Sequence, residues 1–103
     1  MKDEFVQAIQ SKNKVRLTFH SKEDGRPLVR VCAPMDYGPS RRAKDKSDRF
    51  HLWDYESDSA QHVLSLLPNQ VIRVEVLPEL FDPAEFVTWD TQWFVQRDWG
   101  HYS

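Results

Sequence analysis

The residues best equipped to do chemistry lie in the decapeptide Ser40 to Arg49, SRRAKDKSDR, where five Lys/Arg stand against two Asp. Guanidinium groups fork onto phosphate oxygens and ammonium groups act as point charges. Arg41, Arg42, Lys44, Lys46 and Arg49 on one flexible segment can therefore track a phosphate backbone without reading its sequence. Tyr37 precedes them, and Trp53 and Tyr55 follow. Rings at those positions would stack single-stranded bases, at roughly 1 to 3 kcal/mol per base. The competing reading is a solvated loop whose Asp45 and Asp48 pair with neighbouring cations. Arg16, His20, Arg30 and Arg73 are set into predicted strands instead, as anion contacts or as ordinary surface.

The carboxy-terminal run TWDTQWFVQRDWGHYS is the second candidate, since Trp89, Trp93 and Trp99 put three tryptophans into eleven positions, with Phe94 among them. Disordered tails avoid such composition, and tryptophan anchors many protein interfaces. The segment either packs back on the domain or contacts a second copy or a regulatory partner.

Catalysis needs converging groups, and few are offered. There is no GxSxG, HExxH or P-loop, and 3 glycines could hardly build a phosphate cradle. His20, His51, His62 and His101 share no ligand spacing, and Asp54 and Glu56 flank Tyr55 as ordinary strand-end carboxylates. Cys32, the lone cysteine, cannot form an internal disulfide and reads as a small buried apolar residue. The expectation is a chain that is not an enzyme, with no catalytic residue, cofactor or metal site.

The formal charge of -2 excludes a wholesale polycation, but it hides an asymmetry. Residues 1 to 49 hold 12 Lys/Arg and 7 Asp/Glu, net +5; residues 50 to 103 hold 2 and 9, net -7. Such polarity hints at anion binding unless the halves interleave in space. No apolar run approaches the ~18 to 20 residues of a membrane span, and MKDEFVQAIQ lacks the apolar core of a secretion signal. A cytoplasmic domain with no membrane contact is expected.

The elements that must position these groups follow from periodicity. One domain of 103 residues divides into an N-terminal helix (1–13), a β unit (14–78) and a C-terminal helix with an aromatic tail (79–103). Phe5, Val6 and Ile9 stripe a helix over 3–12, with Asp3 capping it. Val15, Leu17 and Phe19 alternate with polar residues in a first strand; Leu28 to Ala33 returns as a hairpin that Pro34 should halt. Residues 36–48 read as a loop. Strands follow at 50–55, 62–67 and 71–77, the last burying Ile72, Val74 and Val76. In FDPAEF, Asp82 fits an N-cap, Pro83 the first helical position, and Phe81 with Phe86 a hydrophobic staple. Five short antiparallel strands without crossover helices predict a mainly β fold, a small five-stranded SH3-like or OB-like barrel.

Motif order over roughly residues 9 to 86 resembles the WYL-domain family in a compact, stand-alone form. The pieces are VRLTFHS, a Gly turn, RPLVRVCAP, RFHLWDYES and a last strand leading into ELFDP. The family triplet falls on Phe50, His51 and Leu52, with Tyr55 as the aromatic that follows. Arg30 and Pro34 match the family's arginine and strand-ending proline; Ser65 and Gln70 stand where arginines are usual. The resemblance implies an SH3/Sm-like barrel in a bacterial protein accessory to transcription regulation or defence, sensing nucleic acid or a nucleotide. The 103 residues carry no helix-turn-helix. Taken together, the expected activity is binding of single-stranded nucleic acid or a nucleotide, the alternative being a protein-interaction or oligomerisation module built on the Trp-rich tail.

Overall fold

The structure is a computed structural model that describes residues 1–57 and 60–103. Helix α1 spans Lys2–Ser11 and is followed by strands β1 (Asn13–Ser21), β2 (Arg26–Pro39), β3 (Asp48–Asp54), β4 (His62–Leu66) and β5 (Val71–Leu80). Among the described residues these strands form one antiparallel sheet in the order β4-β3-β2-β1-β5, so the first and last strands lie side by side.

The expected mainly β architecture, the N-terminal helix and the opening hairpin are all present. Alternation buries Val15, Leu17 and Phe19 of β1 and turns Arg16, Thr18 and His20 outward. α1 lays Phe5, Ala8 and Ile9 on the core, where Phe5 meets Phe50 edge-on at 4.9 Å. Its N-cap is Met1 and no side chain caps it; Asp3 lies inside the first turn, not at the cap. The helix stops at Lys12, whose left-handed φ of 60° lets its N–H bond back to the last turn.

Strand β2 departs most from expectation. Pro34 does not halt it, and residues 36–39 belong to the strand, so the loop covers only residues 40–47. β2 works in two halves. Residues 26–32 pair with β1 and residues 32–39 with β3, the two pairings overlapping only at Cys32. Pro34 lies beyond the β1 pairing, so its missing N–H removes no bond on that side. A register shift between Pro34 and Asp36 inserts Met35 as a bulge. That kink breaks the alternation and buries the run from Cys32 to Asp36.

Strand β5 also breaks its predicted pattern. Ile72 and Val76 are exposed, Val74 is half-buried, and the buried residues are Val71 and Leu77. A register shift opposite Thr18/Phe19 falls at Ile72, and a second opposite Asn13/Val15 leaves residues 77–79 unpaired with β1. Each displaces the side chains a strict period of two would bury. The basic half of the chain meets the acidic half here, with Arg16 at 2.9 Å and Lys14 at 3.9 Å from Glu75 and Glu79. The two halves of the sequence thus interleave along the β1–β5 pair.

After β5, Asp82 caps the turn Pro83–Glu85 by accepting from the Ala84 N–H at 3.0 Å, and Phe81 packs on Phe86 at 5.8 Å. The cap and staple are as the sequence implied, but the helix is a single 3-10 turn. Residues 87–103 then cross the domain without strand or α-helix, closing in a 3-10 turn at Gly100–Tyr102. No helix among the described residues is long and apolar enough to cross a membrane.

Cys32 is buried, and burial, reinforced by the Asp54 and Glu56 carboxylates, raises its thiol pKa far above the ordinary value. A thiol held protonated and out of solvent is a poor nucleophile. An aromatic disulfide reagent at pH 8 is therefore expected to modify Cys32 only at the rate of global unfolding, with denaturant abolishing the protection. Labelling of the native protein within seconds would contradict this burial.

Candidate functional site

The loop and the tail converge. A cleft of about 520 Å³ is lined by Arg41 and Arg42 from the loop, by Trp89, Asp90, Trp93 and Phe94 from the tail, and by His51, Val63 and Ser65 from the sheet. By alternation His51, Val63 and Ser65 lie on the face opposite the buried Phe50, Leu52 and Leu66, so the cleft sits outside the core.

Arg41 is held at this junction. Its Nη2 donates to the Gln92 carbonyl at 2.7 Å while its guanidinium carbon stands 4.5 Å from the Phe94 ring centre. Phe94 in turn lies against Gly38, where a Cβ would fall 2.6 Å from its Cδ2; only glycine permits this approach. Trp89 is 45% exposed and Phe94 48%. Lys46 donates to the Ser40 and Arg41 carbonyls at 3.1 and 3.3 Å, closing the loop on itself, whereas Arg42 and Lys44 are exposed. Asp45 accepts from Ser47, whose N–H and hydroxyl hold its carboxyl below the usual range. That is internal pairing of the kind a solvated loop would use, with the Arg49 charge lowering the same carboxyl.

At the floor, His51 Nε2 lies 2.9 Å from the Gly38 carbonyl and Nδ1 lies 2.8 Å from the Ser65 hydroxyl. A carbonyl only accepts, so Nε2 carries the proton, and in the neutral ring Nδ1 accepts from Ser65. His51 thus braces β2 to β4.

The tail is positioned by two residues that sequence reasoning missed, Asp36 and Arg97. The Asp36 carboxylate accepts the backbone N–H groups of Phe94 and Val95 at 3.0 and 2.9 Å and pairs with Arg97 Nη2 at 3.1 Å. Arg97 also donates to the Met35 and Val95 carbonyls, and its guanidinium is sandwiched between Trp93 and Trp99 at 4.3 and 4.4 Å. Its side chain is 1% exposed and that of Asp36 9%. Burial pushes the guanidinium down to about 10, with Asp36 opposing the shift, so Arg97 remains charged at neutral pH. An acid, Asp36, opening a segment that reads as a loop, and one arginine between two tail tryptophans were the available signals. Each looked ordinary because its partner is about 60 positions away.

The remaining candidates lie elsewhere. Arg16 is on the outer face of β1, bound to Glu75 at 2.9 Å. Arg30 lines a separate cleft of about 570 Å³ with Phe19, Leu28 and Leu64, its Nε 3.7 Å from the buried Asp54. Arg49 is half-buried, and its Nε has no hydrogen-bond partner among the described residues. Of the proposed stacking rings, Tyr37 packs on Phe50 under the Lys2 ammonium. Trp53 stacks on Phe86 at 5.7 Å and 14°. The Tyr55 hydroxyl is buried, and desolvation, reinforced by Glu85 and Asp82, raises it to about 12. Trp93 donates to the Tyr102 carbonyl at 2.8 Å, and Trp99 to that of Ile9 at 2.9 Å. The rings open to solvent in this region are therefore Trp89 and Phe94, which sequence reasoning had placed in an interface.

No family model, curated protein or solved structure matches the chain.

Proposed function

We propose that this chain is a non-enzymatic binding module for single-stranded nucleic acid, with the ligand seated where the basic loop meets the aromatic tail. One observation carries the reading: Arg41 is pinned over Phe94 by the Gln92 carbonyl, in a cleft that Arg42 and the exposed Trp89 also line. A guanidinium with one face on a ring presents its other face to a base, and is ordered before any ligand arrives. Trp89 offers a second stacking surface, while Arg42 and Lys44 supply mobile charge for phosphate oxygens. Asp90 in the cleft opposes a polyanion, which assigns the phosphates to the loop side and the bases to the tail side.

The same reading extends to the fold and setting. A strand order that places β1 beside β5 supports a sheet curled as an SH3/Sm-like barrel. The resemblance to WYL domains supports a cytoplasmic role accessory to bacterial regulation or defence.

Replacing Arg41, Arg42 and Lys44 together with Glu is expected to abolish retention of a labelled single-stranded oligonucleotide at low salt. Wild-type binding should weaken with added salt by about 0.7 logarithmic units per tenfold change for each phosphate contact. Fluorescence anisotropy reads both. Retention unchanged by the triple substitution overturns the assignment.

A further inference from the structure

The aromatic cleft does not end at Phe94. A neighbouring cleft of about 430 Å³ runs against α1, lined by Lys2, Gln10, Tyr37 and Gly38, and it shares Pro39 and Phe94 with the first. A cation-over-ring pair recurs in it: the Lys2 ammonium lies 5.0 Å from the Tyr37 ring centre, as Arg41 lies over Phe94 on the other side. Phe94, seated on the buried Gly38, and Pro39 form the saddle between the two pairs, since both clefts share these two residues.

Resting on the nucleic-acid reading, we infer that the ligand is an oligonucleotide long enough to cross this saddle, entering at Arg42 and Trp89, passing Arg41 on Phe94, and leaving over Lys2. A mononucleotide would fill only the first cleft. A chain of several nucleotides gains a further phosphate contact at Lys2, while Asp48, which also lines the second cleft, opposes a phosphate on its own side and confines the backbone to the helix side. Asp3 and Glu4, in the first turn of α1, further limit the anion site to the Lys2 side chain.

The test is the length dependence of binding by oligothymidylates of two and six nucleotides, measured by anisotropy with the whole chain at low salt. The six-nucleotide probe is expected to bind at least about tenfold more tightly than the dinucleotide, in line with one further stacked or phosphate-paired nucleotide. Lys2→Glu should remove most of that gain and leave dinucleotide binding unchanged. Lys2→Gln should remove part of it and lower the salt slope by about 0.7. Equal binding of both probes, or a Lys2→Glu protein that keeps the full gain, overturns the track while the first cleft stands. Failure of both probes to bind overturns the nucleic-acid reading and the track with it.

Discussion

Asp36→Ala is expected to destabilise the protein by about 3 to 5 kcal/mol, the usual cost of removing one partner of a buried ion pair. Three separate losses contribute. The Arg97 charge stays between two tryptophans with no counter-charge, and the N–H groups of Phe94 and Val95 lose their acceptor in a part-buried site. Single domains are stable by only about 5 to 15 kcal/mol, so this one change removes a large fraction of the margin. In a chain of this length each kcal/mol corresponds to about 4 to 8 °C, which places the fall in Tm at roughly 12 to 40 °C. Asp36→Asn should cost less, because the amide oxygen still accepts one N–H. Arg97→Met keeps the apolar sandwich but leaves Asp36 with backbone partners alone. Urea titration of the two single variants and the double variant gives the coupling between them, expected above about 1 kcal/mol. An Asp36→Ala loss below about 1 kcal/mol would mean that the tail docks without this carboxylate.

The same pair explains why half of the site was legible in the sequence and half was not. Local signals were read correctly where they depend on neighbours in the chain. The alternation of Val15, Leu17 and Phe19 gave a strand, and the Asp82, Pro83 and Phe86 pattern gave a cap and a staple, although the helix expected there is a single 3-10 turn. They failed where a distant element changed the local rule. Pro34 reads as a stop, yet β1 pairing has already ended at Cys32, so its missing N–H is not needed there. Ile72 reads as core, yet a bulge against β1 turns it out. Trp53 and Tyr55 sit beside the basic loop in sequence and looked like stacking platforms, but Trp53 is covered by Phe86 and the Tyr55 hydroxyl is buried. The basic residues of the loop were visible as composition. That they meet Trp89 and Phe94 was not, because the meeting is made by Asp36 reaching residues 94 and 95 across about 58 positions.

Cutting the chain after Thr88 is expected to abolish cooperative folding altogether, which separates a structural tail from a detachable interface. The segment removed contains Trp99, buried to 4%, whose indole N–H satisfies the Ile9 carbonyl near the end of α1 and whose ring packs on Phe81 and Phe86. Removing a buried tryptophan costs about 3 to 5 kcal/mol. Removing Arg97 with the Phe94 and Val95 N–H groups leaves the Asp36 charge at the bulge without its partners, a penalty of similar size. Exposure of Phe81 and Phe86 adds more. Together these consume the whole stability of an ordinary domain of this length. Trp89 and Phe94 behave differently, since both are about half exposed and Phe94 holds the structure through its backbone N–H. Trp89→Ala should therefore leave Tm within a few degrees and act on ligand binding alone. Near-ultraviolet circular dichroism and thermal melting of residues 1–88 decide the matter. A sharp transition with retained aromatic signal would mean that the sheet and α1 fold without the tail, and the tryptophans would then have to be explained by a partner.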